Sequence, residues 1–239
     1  MNRRQFLRVA ALSALAGCSN ASPGRGGSDG TDGDGTDGAG GSDGGNSGPT
    51  ADAAKRDLAE QPTLGPPVGE ASGLIVAFED PSCTRCRAFD QTVFPKIRSN
   101  LVETGRATFA FRGYPVVYEW GDPASHALEA TYARDADAFW ALVGHYFDNQ
   151  GSFRGKPAED VYAQTQSFLS SDTDLDAAAV VSEARGDAAA SAVQTDLDAG
   201  MAAGAGRTTP HLFLFRDGEF QTKAAGSVSY ETIEAVLQV

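Results

Sequence analysis

Positive charge is in short supply in this 239-residue chain: Lys+Arg total 19 against 32 Asp+Glu, a formal net charge of −13, and Lys55, Lys96, Lys156 and Lys223 are the only lysines. Such a field repels phosphate backbones and anionic lipid, so a nucleic-acid partner is disfavoured. The acidic excess is spread along the chain. That pattern suits a protein kept soluble in concentrated salt, where self-repulsion is screened. Cysteine is rarer still: Cys18, Cys83 and Cys86 are the three, and no second cysteine pair exists to complete a zinc site. Long apolar runs are missing as well. The apolar stretch at residues 9–17 falls far short of the ~20 residues a membrane span needs. Residues 19–50 contain no aromatic and no large aliphatic side chain, so nothing there offsets the entropy of ordering. Over the whole chain 41% of residues are hydrophobic and 21% charged, enough for a packed core downstream.

The opening residues read as an address. Arg3-Arg4-Gln5-Phe6-Leu7 is a twin-arginine pattern, and the short apolar stretch follows it. Leu15-Ala16-Gly17-Cys18 resembles the lipobox of bacterial-type lipoproteins. That resemblance implies a lipidated Cys18 anchoring the protein to the outer face of the cytoplasmic membrane. The alternative is a plain cleaved secretion signal with Cys18 incidental, and both place the folded part outside the cytoplasm. Residues 19–61 are expected to form a Gly/Ser/Asp-rich disordered tether, mildly helical from Ala51 to Gln61, before Pro62, Pro66 and Pro67 break the chain. The globular domain is expected over residues 62–239.

From there the pattern is α/β. Leu74-Ile75-Val76-Ala77-Phe78 reads as a buried strand ending in the turn Glu79-Asp80-Pro81-Ser82. Phe89, Val93, Ile97 and Leu101 then recur every four residues, which puts Cys83-Thr84-Arg85-Cys86 in the first turn of an amphipathic helix kinked at Pro95. Residues 107–112 supply a second strand and complete a β-α-β unit. Near the C-terminus, two strands flank Asp217-Gly218, a hairpin signal, and Ser229 caps a last helix. Between the halves, residues 114–206 are too many for a loop. Five stretches with helical periodicity mark them as an inserted all-helical subdomain.

The chemistry of the C-x-x-C pair follows from its placement. Cys83 at a helix N-terminus feels the positive end of the macrodipole and unpaired backbone N–H groups, both of which favour thiolate. It is the expected nucleophile, with the positive charges of Arg85 and nearby Arg87 lowering its pKa further. Cys86, turned toward the helix body, is the expected resolving thiol.

The order of strand, C-x-x-C helix, strand, helical insertion, Thr-Pro, hairpin and final helix resembles the DsbA-like branch of the thioredoxin superfamily. The most specific pieces are residues 78–89, Asp137-Ala138-Phe139-Trp140-Ala141-Leu142 with Tyr146-Phe147-Asp148-Asn149-Gln150, and Gly206-Arg207-Thr208-Thr209-Pro210. The resemblance implies a thioredoxin-like fold with a helical insertion, and a thiol-disulfide oxidoreductase acting on protein thiols and disulfides. It also implies a membrane or soluble redox partner, and no cofactor beyond the Cys83–Cys86 disulfide. It further implies a cis Pro210 facing that pair, with Thr209 offering backbone groups to a substrate peptide. One position departs from the pattern: where relatives carry a buried acid six residues before the first cysteine, this chain has Ala77. Glu79 or Asp80 then stands as a substitute, or each is an ordinary turn residue. The direction of exchange is left open between oxidase, isomerase and reductase. Two further readings are a copper-handling protein using His211 beside the cysteines and a peptide-binding module with a static bridge.

Overall fold

The computed structural model describes residues 49–239. The twin-arginine leader, the lipobox with Cys18 and the glycine-rich stretch up to residue 48 lie outside the described residues.

A five-stranded mixed sheet organises the domain: β1 (Thr63–Leu64), β2 (Gly73–Glu79), β3 (Ala107–Gly113), β4 (His211–Arg216) and β5 (Glu219–Ala225), in the order β1-β3-β2-β4-β5. Only β2 and β3 run parallel; the other pairs are antiparallel. Central strand β2 alternates strictly. Ile75 and Ala77 face one side and Val76 and Phe78 the other, all fully buried, as expected of a strand covered on both faces.

On the first face lies the helix that follows β2. Cys83 is the N-cap of α2 (Thr84–Thr92), and the helix stops at Val93 before continuing as α3 (Phe94–Ile97) and a π turn over Arg98–Val102. The interruption is the break foreseen at Pro95: proline has no N–H to give to the carbonyl four residues back. The helical stretch after β3 comprises α4 (Gly121–Tyr132), α5 (Ala136–Asp148), α6 (Gln150–Phe153), α7 (Ala158–Asp172), α8 (Ala177–Ala184) and α9 (Asp187–Ala203). It does not fold as a separate body. Helices α4, α5, α7 and α8 share one apolar core with α2, α3, the sheet and α10 (Tyr230–Leu237), whose N-cap Ser229 accepts the Thr232 N–H at 3.2 Å. Phe139 lies in that core edge-on to Phe111 of β3 at 5.5 Å, and Trp140, partly buried, packs beside it.

Helix α9 crosses to the second face of the sheet. Its Asp196 meets Arg112 Nη1 of β3 at 2.7 Å and accepts the Gly113 N–H at 2.9 Å, with both side chains fully buried. Glu129 of α4 brings a second carboxylate near this single cation. Burial, reinforced by Asp196, pushes Glu129 up to about 8, so it holds a proton at neutral pH.

The folded part begins earlier than the expected Pro62. Helix α1 (Pro49–Ala54) and a 3-10 turn (Leu58–Glu60) bury Ala51, Ala53, Ala54 and Leu58 in a second core with Ala199 and Ala203 of α9 and with Phe213 and Phe215 of β4. Gln61 is buried too, and the Arg56 carbonyl accepts from Arg112. Residues 49–61 are therefore part of the domain and not of the tether. Alanines carry little hydrophobic signal in sequence, yet they let two helices approach closely, and that approach supplies the burial.

Candidate active site

The turn after β2 is held from three sides. Asp80 Oδ1 accepts from the Ser82 N–H (2.7 Å) and hydroxyl (2.6 Å), and Oδ2 accepts the N–H groups of Val116 (2.8 Å) and Val117 (2.7 Å). Burial pushes the Asp80 pKa up, and the four donors that its carboxylate receives oppose that rise. Asp80 is thus a structural clamp between the cysteine loop and the β3–α4 loop, the ordinary turn role. Tyr118 adds a bond from its N–H to Ser82 Oγ at 3.1 Å. The fit leaves no room at Gly121, where a Cβ would sit 2.5 Å from Asp80 Oδ1. On the other side, Gln150 Nε2 donates to the carbonyls of Pro81 (2.8 Å) and Cys83 (2.9 Å). That gives a physical role to a residue the sequence marked only by resemblance.

Within this frame Cys83 caps α2 in an extended conformation, 2% exposed, and its thiol points at the Thr209 carbonyl at 3.4 Å. The Thr209–Pro210 bond is cis, so residues 83 and 209–210, 126 positions apart in sequence, converge as expected. The Cys83 pKa is pulled down to about 5. The chief cause is a hydrogen bond from the Cys86 thiol, helped by Thr209 and the backbone N–H groups of Cys86 and Arg85, and opposed by burial. Arg85 therefore acts through its backbone. Its guanidinium, expected to do the tuning, instead lies over Gly226, with Nη1 3.6 Å from where a Cβ on that glycine would be. The Thr209 hydroxyl is buried without a geometric hydrogen-bond partner and is available to the thiolate.

Cys86 is fully buried one turn further in. Burial pushes its pKa well up, and the hydrogen bond given to Cys83 and the charge of Glu79 push it further. The two thiols are thus driven apart, one ionised and one protonated at neutral pH.

Glu79 occupies the same face of β2 as Ala77, since alternate residues share a face. It is 3% exposed and its Oε2 has no partner. Burial is the main cause raising its pKa, followed by the charges of Asp90 and Cys83. Asp90 lies four residues after Cys86 on α2, and burial together with Asp148 raises it to about 6. Of the two candidate substitutes for the acid missing at Ala77, Glu79 faces the thiols and Asp80 does not. Sequence reasoning passed over Asp90, although its one-turn spacing from Cys86 was visible.

His211 does not join the pair. It alternates with Leu212 and so falls on the other face of the sheet, stacked on Phe213 at 5.1 Å with Nδ1 3.0 Å from the Ala205 carbonyl. Among the described residues no group of three His, Cys, Asp or Glu side chains is placed to hold a metal ion. His145 stacks on Phe168 at 4.0 Å and His126 lies 3.9 Å from Asp122.

Residues 60–238 match the family described as Thioredoxin. A probable disulfide bond formation protein D of Bacillus cereus is 32% identical over 76 residues, covering 32% of this chain and 35% of that protein, so the chain spans about a third of the length of the curated relatives it matches. Crystal structures give the fold more broadly. BdbD from Bacillus subtilis, oxidised, has a TM-score of 0.63 at 22% identity, covering 77% of this chain and 96% of that one. For alpha-DsbA1 from Wolbachia pipientis the TM-score is 0.65 at 18% identity, covering 78% and 94%. The C-x-x-C at the head of α2 and the cis proline opposite it are thus set in a DsbA-like fold, and the chain belongs to the thioredoxin family.

Proposed function

We propose that the protein is an extracytoplasmic thiol-disulfide oxidoreductase that exchanges disulfides with protein substrates through Cys83 and Cys86, working as an oxidase or isomerase, anchored by a lipid on Cys18 and recharged by a separate redox partner. The observation that carries the exchange chemistry is the asymmetry of the pair: Cys83 at the head of α2 against the Thr209 carbonyl at 3.4 Å, and Cys86 fully buried behind it. The twin-arginine leader and lipobox support the location. The disulfide itself carries the two electrons, so the chemistry needs no bound cofactor.

In the oxidising direction a substrate thiolate attacks Cys83 of the disulfide, forming a substrate–Cys83 bond and releasing Cys86 as a thiolate. Burial makes that thiolate unstable, and Glu79, whose raised pKa lets it keep its proton to higher pH than an ordinary carboxylate, supplies the proton. A second substrate thiolate then attacks the substrate sulfur of the mixed disulfide and expels Cys83. A pKa of about 5 makes Cys83 a good leaving group. The substrate loses two electrons, the pair gains them, and Asp90, half-buried beside Glu79, is placed to exchange the relayed proton with solvent.

The stabilised Cys83 thiolate favours the dithiol form and so raises the reduction potential. Relative to a thioredoxin-like thiol of pKa ~7, a pKa of about 5 stabilises the reduced form roughly fiftyfold at neutral pH. At ~30 mV per tenfold, that is about 50 mV above the ~−270 mV of thioredoxin. Equilibration of the full chain in glutathione buffers measures it. A potential at or below that of thioredoxin would turn the reading toward a reductase.

A further inference from the structure

Between the two loops that are bonded to the Cys83 turn lies a groove of about 570 Å³ that the exchange chemistry does not use. One wall is Val117, Tyr118 and Trp120 from the β3–α4 loop, and the other is Arg154, Lys156 and Pro157 from the α6–α7 connection. Both walls are bonded to the loop that carries the nucleophile. Tyr118 donates its N–H to Ser82 Oγ at 3.1 Å, and Gln150, at the start of the short helix leading to Arg154, donates to the Cys83 carbonyl at 2.9 Å. Trp120 is buried and stacked on Phe153 at 5.3 Å, which makes a rigid floor. Val117 and Tyr118 are 37% and 53% exposed, two of only four large apolar side chains left exposed among the described residues. Neighbouring exposed apolar residues in a groove mark a contact surface.

The charge of this surface is opposite to that of the molecule. Arg154 and Lys156 line the groove, and Arg207 reaches the Val116 carbonyl at 3.4 Å on its near rim. Against these three cations stand Glu119 in the groove wall and Asp160, 3.6 Å from Lys156. In a chain with 19 basic and 32 acidic residues, three cations against two carboxylates is a local reversal of sign.

We propose that this groove binds an extended acidic segment of the substrate polypeptide flanking its reactive cysteine, with one aliphatic or aromatic side chain between Tyr118 and Pro157 and carboxylates facing Arg154, Lys156 and Arg207. The proposal rests on the oxidoreductase reading and adds a substrate class to it. Complementary charge acts mainly on encounter rate and register.

The test uses the oxidised full-length protein and three synthetic cysteine peptides of equal length, flanked by Asp, Asn or Lys around one Leu, with exchange rates followed by stopped-flow tryptophan fluorescence. The net charge of −13 by itself favours the lysine peptide, so bulk electrostatics and the groove give opposite orders. The expected result is an Asp peptide about tenfold faster than the Lys peptide at low salt, with the ratio shrinking toward one in ~1 M salt, where screening acts within ~3 Å. The double variant Arg154→Glu, Lys156→Glu should reverse the order and leave exchange with the uncharged thiol 2-mercaptoethanol unchanged. A faster Lys peptide, or a ratio the double variant does not alter, overturns the groove assignment while exchange with glutathione still stands. Failure of the wild-type protein to exchange with glutathione at all would instead overturn the oxidoreductase reading and the groove with it.

Discussion

With Cys86 replaced by Ala, the reaction is expected to stop after one chemical step. Cys83 keeps its place at the head of α2 against Thr209, so it still attacks a substrate disulfide and forms the mixed disulfide. Nothing then stands one turn behind it to displace the partner. The adduct should accumulate to about one equivalent, visible by mass spectrometry and on non-reducing gels, and multiple turnover should fall by about a thousandfold or more, since residues acting as a unit fail together. Cys83→Ala should give no adduct with the same substrate, because Cys86 is fully buried and pushed up in pKa. Adducts formed equally on either cysteine would show that the division of roles is wrong.

The second large effect is expected at Glu79→Gln. The substitution keeps the shape and removes only the exchangeable proton. Glu79 is raised in pKa, chiefly by burial, so it keeps its proton to higher pH than an ordinary carboxylate and is placed to donate to Cys86 as that thiolate leaves. It becomes an anion as pH climbs through its elevated pKa. The oxidising step should therefore slow as pH rises, and the reverse step, which needs the anion as base, should quicken. In the Gln variant both dependences should flatten and Cys86-dependent steps should slow about a hundredfold, the lower end of general acid–base contributions. Alkylation of Cys83 should stay within a few-fold of wild type. Rapid-quench measurement of mixed-disulfide formation and decay separates the two. Equal rates of mixed-disulfide formation from the oxidised pair in wild type and variant would remove Glu79 from the proton path.

Much of this was legible in the sequence because the signals were local. The run 74–78 is apolar on both faces and became central strand β2, and the four-residue spacing of Phe89, Val93, Ile97 and Leu101 became the buried face of the helical stretch after the cysteines. Pro95 marked its own interruption. The places of Cys83 at the head of α2 and Cys86 one turn in follow from helix geometry alone. What was hidden depends on contacts across the chain. Helix α1 is packed by alanines whose partners on α9 lie nearly 150 residues away, and no periodicity announces that. The Arg112–Asp196 pair, 84 positions apart, is read only from the fold. Glu79 could be narrowed to but not chosen over Asp80 without knowing which side of the turn each faces. The charge of Arg85 looked decisive on a helical wheel, yet the side chain turns toward Gly226, and the hydrogen bond from the Cys86 thiol, helped by Thr209 and by backbone N–H groups, lowers the Cys83 pKa.

The most direct measurement is the pH dependence of Cys83 reactivity in the reduced protein, read as thiolate absorbance in the ultraviolet together with the rate of iodoacetamide labelling. The expected curve has one midpoint at about 5, with labelling confined to Cys83 and Cys86 unmodified at neutral pH. A midpoint near the ~8.5 of an ordinary thiol, or equal labelling of both cysteines, would contradict an activated nucleophile at the head of α2 and with it the exchange chemistry proposed for this site.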